Sequence, residues 1–178
     1  MTIGLAETVN EEEWLVAELE LLGIRYLSRQ TAYQASAMRD PASLLADLVR
    51  QPSARVRAAV IAVLLAHPEY AEAAPLALER LRPFEQLTMK LFYTAAALLQ
   101  RHHVDRLRRF AGDRWHWLPD LFSEELGVPP GESPRERLKA LGRAHSRLTH
   151  TTVNWGGTYE NVVERLLRRW ELERQWSR

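Results

Sequence analysis

A run of apolar residues between two prolines does most to constrain what this chain can fold into. In residues 52–68, Pro52 and Pro68 bracket SARVRAAVIAVLLAH. Val56, Ala59, Val60, Val63 and Leu64 share one face of a 3.6-residue period. Ala58, Ile61, Ala62, Leu65 and Ala66 make the other side apolar as well. The pattern predicts one helix, started by Ser53 as its cap and covered on most faces, with only Arg55 and Arg57 obliged to find water or a carboxylate. A helix with that little polar surface needs other helices around it, so the expectation is a layered all-α fold.

The rest of the chain supplies candidates. Asn10 followed by Glu11, Glu12 and Glu13 reads as a cap with acids in a first turn, ahead of Leu15, Leu19, Leu22 and Tyr26. Gly23 is expected to weaken that helix without ending it. Residues 28–39 are polar and poorly periodic, a short helix or an ordered connection. Asp40-Pro41 is a cap followed by proline at the first helical position. Leu44, Leu45, Leu48 and Val49 follow, up to Pro52. After Pro68 a second round begins, with Ala74-Pro75 opening one helix and residues 84–101 forming a longer one. A constant offset of 33 residues takes Leu45 to Leu78, Leu48 to Leu81, Val56 to Met89, Arg57 to Lys90 and Leu65 to Leu98. Two helices per unit at such a period is the pattern of stacked helical hairpins.

At this point a family resemblance enters. Pro52-Ser53-Ala54-Arg55-Val56-Arg57-Ala58-Ala59 resembles the turn and second helix of a HEAT-type repeat, with a Val-Arg pair before an alanine-rich helix. The resemblance covers residues 41–99, about two units. It implies stacked hairpins and a scaffold class of many functions. The resulting expectation is a single all-α domain over residues 1–178: capping helices in 1–40, two HEAT-like hairpins in 41–101, and a helical lobe rich in tryptophan and arginine in 102–178.

That last part is expected to contain a basic helix closed by Gly112 and a second segment capped by Asp113. A short helix is expected over 119–126, closed by Gly127. Ser133-Pro134-Arg135-Glu136 reads as a capping box ahead of Leu138, Leu141 and Leu148. A final amphipathic helix is opened by Thr158, with Gly156 and Gly157 as turn residues. No stretch alternates with period two, so no sheet is expected.

Composition narrows function mainly by exclusion. With no cysteine there is no disulfide, thiolate metal site or cysteine nucleophile. The longest apolar run falls well short of the ~20 residues that span a bilayer, so no membrane partner is expected, and a cytoplasmic location is the default. The net charge of +1 hides an asymmetry: residues 1–40 carry −4 and residues 101–178 carry +4. Lys90 and Lys139 are the only lysines among these bases.

Five of the six tryptophans follow residue 110. Arg106, Arg109 and Arg114 interleaved with Trp115 and Trp117 have the chemistry of a nucleic-acid surface, aromatic faces for bases and guanidinium groups for phosphates. Equally, the tryptophans are suited to anchoring a loop on the core. The cluster resembles the surface of HEAT-like alkylpurine DNA glycosylases, which would give Asp113 the role of catalytic acid. Arg143 and His150, like Arg109 and His116, have six residues between them and resemble the arginine–histidine pair of HEPN-type ribonucleases. His102 and His103 are adjacent on an expected helix, so they should point to different faces and not chelate together. No cofactor fingerprint or metal spacing is present. The expectation is a non-enzymatic interaction protein that binds another protein, through Arg57, Lys90, Trp155 and the Arg106–Trp117 cluster. A nucleic-acid binder or RNA/DNA-acting enzyme is the alternative.

Overall fold

The computed structural model describes residues 3–28, 35 and 37–178, with side chains from Glu11 onward. Most of the ambiguous stretch 28–39 lies outside the described residues. All regular structure among the described residues is helical: α1 Ile3–Leu21, α2 Pro41–Val49, α3 Ala54–Arg57, α4 Ala59–Ala66, α5 Ala74–Glu79, α6 Pro83–His102, α7 Val104–Ala111, α8 Pro134–Thr149 and α9 Trp155–Trp176, with 3-10 turns at Pro68–Ala73 and Gly112–Arg114. No helix among the described residues is long and apolar enough to cross a membrane.

The proline-bracketed run lies at the centre. Every residue of α4 is at most 6 % exposed, and α4 is packed by α2, α6, α7 and α9. The expected single helix is nevertheless broken at Ala58, where the Ile61 N–H bonds back only three residues, to the Ala58 carbonyl. Ser53 occupies the cap position without a side-chain bond. Both arginines donate to backbone carbonyl groups, Arg55 while remaining exposed to solvent. Arg57 donates to Gln51 O and Pro52 O at 2.8 Å each, and Arg55 to Tyr26 O.

Equivalent helices of the two rounds lie against each other, α2 on α5 and α4 on α6. Of the pairs at offset 33, Leu48 and Leu81, Val56 and Met89, and Leu65 and Leu98 are all buried, whereas Leu45 is buried and Leu78 only half-buried. The far side of α6 carries α8, and α9 packs across α4, α6, α7 and α8.

Several end signals work differently from expectation. α1 runs from Ile3, so Asn10 lies in the interior of the helix and not at its start. Gly23 does terminate α1: at φ 81° it allows Ile24 N–H to reach Leu19 O and Gly23 N–H to reach Glu20 O, a Schellman closure over buried Leu19 and Ile24. Asp40 caps α2 through Ser43, as expected. Ser133 accepts from Glu136 N–H, but Glu136 turns to Lys139 instead of completing the box. The reach-back to a cap N–H occurs at α6, where Glu85 accepts from Arg82 N–H. Asp113 sits in a 3-10 turn and caps no helix, and residues 119–126 form turns. Leu148 is exposed, unlike Leu138 and Leu141. α9 starts at Trp155 with Asn154 as its cap, accepting from Gly157 N–H at 3.0 Å. Thr158 lies inside the helix.

Candidate functional site

One cleft is organised around His145, on the inner face of α8 and 2 % exposed. Trp155 stacks on it with ring centroids 3.5 Å apart and planes within 5°. Phe92 meets both rings edge-on. This stack requires α8 and the start of α9 to approach closely, and Gly142 makes that possible: a Cβ there would lie 3.1 Å from the Gly156 backbone nitrogen. The glycines of α9's first turn therefore serve packing and capping; neither Gly156 nor Gly157 has a positive φ.

These rings form one wall of a cleft of about 380 Å³. The opposite wall is the end of α2 with Gln51, Pro52 and Arg57, and Phe84 on α6 stands at the edge, 68 % exposed. Burial drives the His145 pKa down to about 3, so the imidazole is neutral at pH 7. Burial likewise raises the Tyr159 hydroxyl, which is hydrogen-bonded to His145 Nδ1 at 2.6 Å. Both groups hold their neutral forms because burial penalises the charged ones. Trp155 Nε1 donates to Thr151 Oγ1, itself 3.0 Å from Thr149 Oγ1. Gln51 is 3 % exposed; its amide donates to Asp47 O, and its Oε1 has no donor. Tyr159 is the only described side chain hydrogen-bonded to the His145 ring. The arrangement suits binding of an apolar or aromatic group flanked by a few polar atoms.

Arg57 and Trp155, two of the expected binding residues, line this cleft. The others are spread elsewhere. Lys90 pairs with Glu125 and lies over the Phe122 ring. Arg106 is held by Glu164 at 2.6 Å and Glu171 at 3.1 Å. Arg109 and Arg114 line a second cavity of about 340 Å³ together with Arg174 and Trp170. Trp115 and Trp117 pack edge-to-face at 5.2 Å, Trp115 half-buried on the core and Trp117 49 % exposed. Among the described residues no hydrogen bond, ion pair or shared cavity joins Asp113, Arg143 and His150.

The loop carrying the two tryptophans is fastened by groups that sequence reasoning missed. Gln100, fully buried, donates to His116 O and accepts from Leu118 N–H. Arg101 donates to Leu118 O, and Tyr93 to Pro119 O. One expectation is overturned outright: His102 and His103 do converge. His103 lies outside α6, at φ −107° and ψ 28°, so helical spacing does not govern the pair. Their Nε2 atoms both face Glu160 of α9, at 3.9 and 2.8 Å.

Fold and cleft together define an all-α protein whose C-terminal helices close an aromatic-walled cleft against an apolar helical stack. No family model matches the chain, and no curated protein or solved structure matches it either.

Proposed function

We propose that the protein is a non-enzymatic interaction module, a short HEAT-like stack that holds a segment of a partner protein in the cleft between its hairpins and its C-terminal helices. The pairing of α2 with α5 and α4 with α6 at the 33-residue offset supports the stacked-hairpin reading. The observation that carries the binding reading is the cleft itself: Phe84 is exposed at its edge, Trp155 and His145 form its wall, and Arg50, Arg57 and Glu85 supply charged groups to its lining. Aromatic anchors in such pockets carry most of the energy of an interface. A photo-cross-linking residue at position 84 tests this in cells. It should yield one discrete protein adduct, absent when the cross-linker is moved to exposed Leu172 and lost on Trp155→Ala. Equal labelling from both positions, or none from 84, overturns it.

A second reading rests on a different place. Arg109, Arg114 and Arg174 share a cavity, and none of the three forms an ion pair among the described residues. Three guanidinium groups without a carboxylate partner among the described residues, Arg174 lying over the Phe110 ring, suit phosphates. If they hold a nucleic acid, log K should fall against log salt with a slope of about −2 to −3, and Arg109→Glu with Arg174→Glu should flatten it.

A further inference from the structure

We propose that His102, His103 and Glu160 form a binding site for a divalent transition metal of the zinc class. The three side chains come from two elements: the end of α6 and its cap residue supply the imidazoles, and the second turn of α9 supplies the carboxylate. One ligand atom from each lies within 4.8 Å of the others. Glu160 places one oxygen under each ring, Oε2 2.8 Å from His103 Nε2 and Oε1 3.9 Å from His102 Nε2. An ion with bonds of about 2.1 Å in tetrahedral geometry needs ligand atoms about 3.4 Å apart. The two imidazole–carboxylate distances, each to a different oxygen, bracket that value, and the third separation is within 4.8 Å, so side-chain rotation is what closes the site.

The chemistry of the donor set selects the class of ion. Two imidazole nitrogens and one carboxylate suit Zn2+ and its first-row neighbours, whereas Ca2+ and Mg2+ take oxygen ligands. Three protein ligands leave a fourth position open, and exposure shows where it faces. His103 is 13 % exposed, but His102 and Glu160 are 34 % and 39 % exposed, so the open side is toward solvent. Binding uses the Nε2 lone pair of His103, so the hydrogen bond between that nitrogen and Glu160 gives way to a bond from each to the ion, the neutral ring carrying its proton on Nδ1.

The surroundings favour a cation. α6 is 20 residues long and its C-terminal carbonyls end at this point, presenting the negative end of its dipole. Arg135 acts on Glu160 from α8 but makes no ion pair with it. Arg106, one helical turn along, is occupied by Glu164 and Glu171. A bound ion would staple the α6–α7 corner to α9, and its open position would accept water or a donor from a partner.

The test uses the tag-free full chain. Titration with Co2+ should give visible d–d absorption that saturates at one equivalent, and saturating Zn2+ should raise the Tm by about 5 °C while Mg2+ does not. His102→Ala, at an exposed ring, and Glu160→Gln, which keeps the side-chain shape, should each abolish the Co2+ bands and the Zn2+ shift with unchanged far-UV circular dichroism. Absence of both signals in the wild type overturns the site. So does their retention in either variant, which would place the ion elsewhere, at His67 and Glu69 for example.

Discussion

The helical stack of residues 41–102 and the C-terminal part beyond it are held together by different chemistry. In the stack, α4 is apolar around its whole circumference, and α6 contributes Met89, Leu91, Phe92, Ala95 and Leu99 to the same core. In the C-terminal part the decisive contacts are polar and specific. Gln100 and Arg101 fasten the tryptophan loop, the His145–Tyr159 pair fixes α8 to α9, Arg106 ties α7 to two turns of α9, and Trp170 Nε1 reaches Gly23 O. Apolar burial is non-directional and tolerates a choice of partners, whereas a buried amide or imidazole is satisfied only by one geometry. Both regions share one apolar core, to which the C-terminal part adds Leu141, Val163, Leu166 and Leu167; its polar contacts add the directional constraints that fix its shape.

That contrast can be broken at its strongest point by Leu64→Ala in α4. Leu64 is fully buried, and its loss should destabilise the protein by about 3 kcal/mol through lost transfer energy and a residual cavity, read from the urea midpoint. A change under 1 kcal/mol would mean that the stack is not the energetic centre. Next, Gln100→Leu keeps the volume but orphans the buried Leu118 N–H. It should cost about 2 kcal/mol and expose residues 115–125 to protease, whereas Leu64→Ala should not single out that loop.

The pH dependence reports on the C-terminal part through His145. His145 has its pKa lowered from 6.5 to about 3, so below pH 6.5 the unfolded chain takes up a proton that the folded chain refuses. Its contribution is complete above pH 6.5 and is lost as pH falls toward 3, at about 1.4 kcal/mol per pH unit. Between pH 7 and 5 the wild type should therefore lose more stability than His145→Gln; parallel curves would mean that the imidazole is hydrated. The smallest effect is expected at Arg106→Gln, about 0.5 kcal/mol at low salt and vanishing in 1 M NaCl, because its carboxylate pairs are partly solvated.

The chain is legible where one period decides the outcome. Asp40-Pro41, the burial of residues 59–66, the long helix after Pro83 and the closing Gly112 all follow from local signals. Reading fails where two local rules compete: at Gly23, where a C-terminal closure outweighed continued helix, and at Asn10, where acids suited to a first turn lie in mid-helix. The site was half legible. Arg57 and Trp155 stood out by residue type, but His145 and Gln51 look ordinary in sequence and become notable only through burial.

What the sequence determined by itself is the helical class, the apolar stack and most places where helices start and stop, because these depend on period and on caps a few residues away. The tertiary structure alone decided which polar groups meet. Gln100 finds Leu118 across 18 residues, His145 finds Tyr159 across 14, and His103 finds Glu160 across 57. Such pairs carry no local signal: each half is satisfied by water in the unfolded chain, and only packing that removes the water obliges it to find the other.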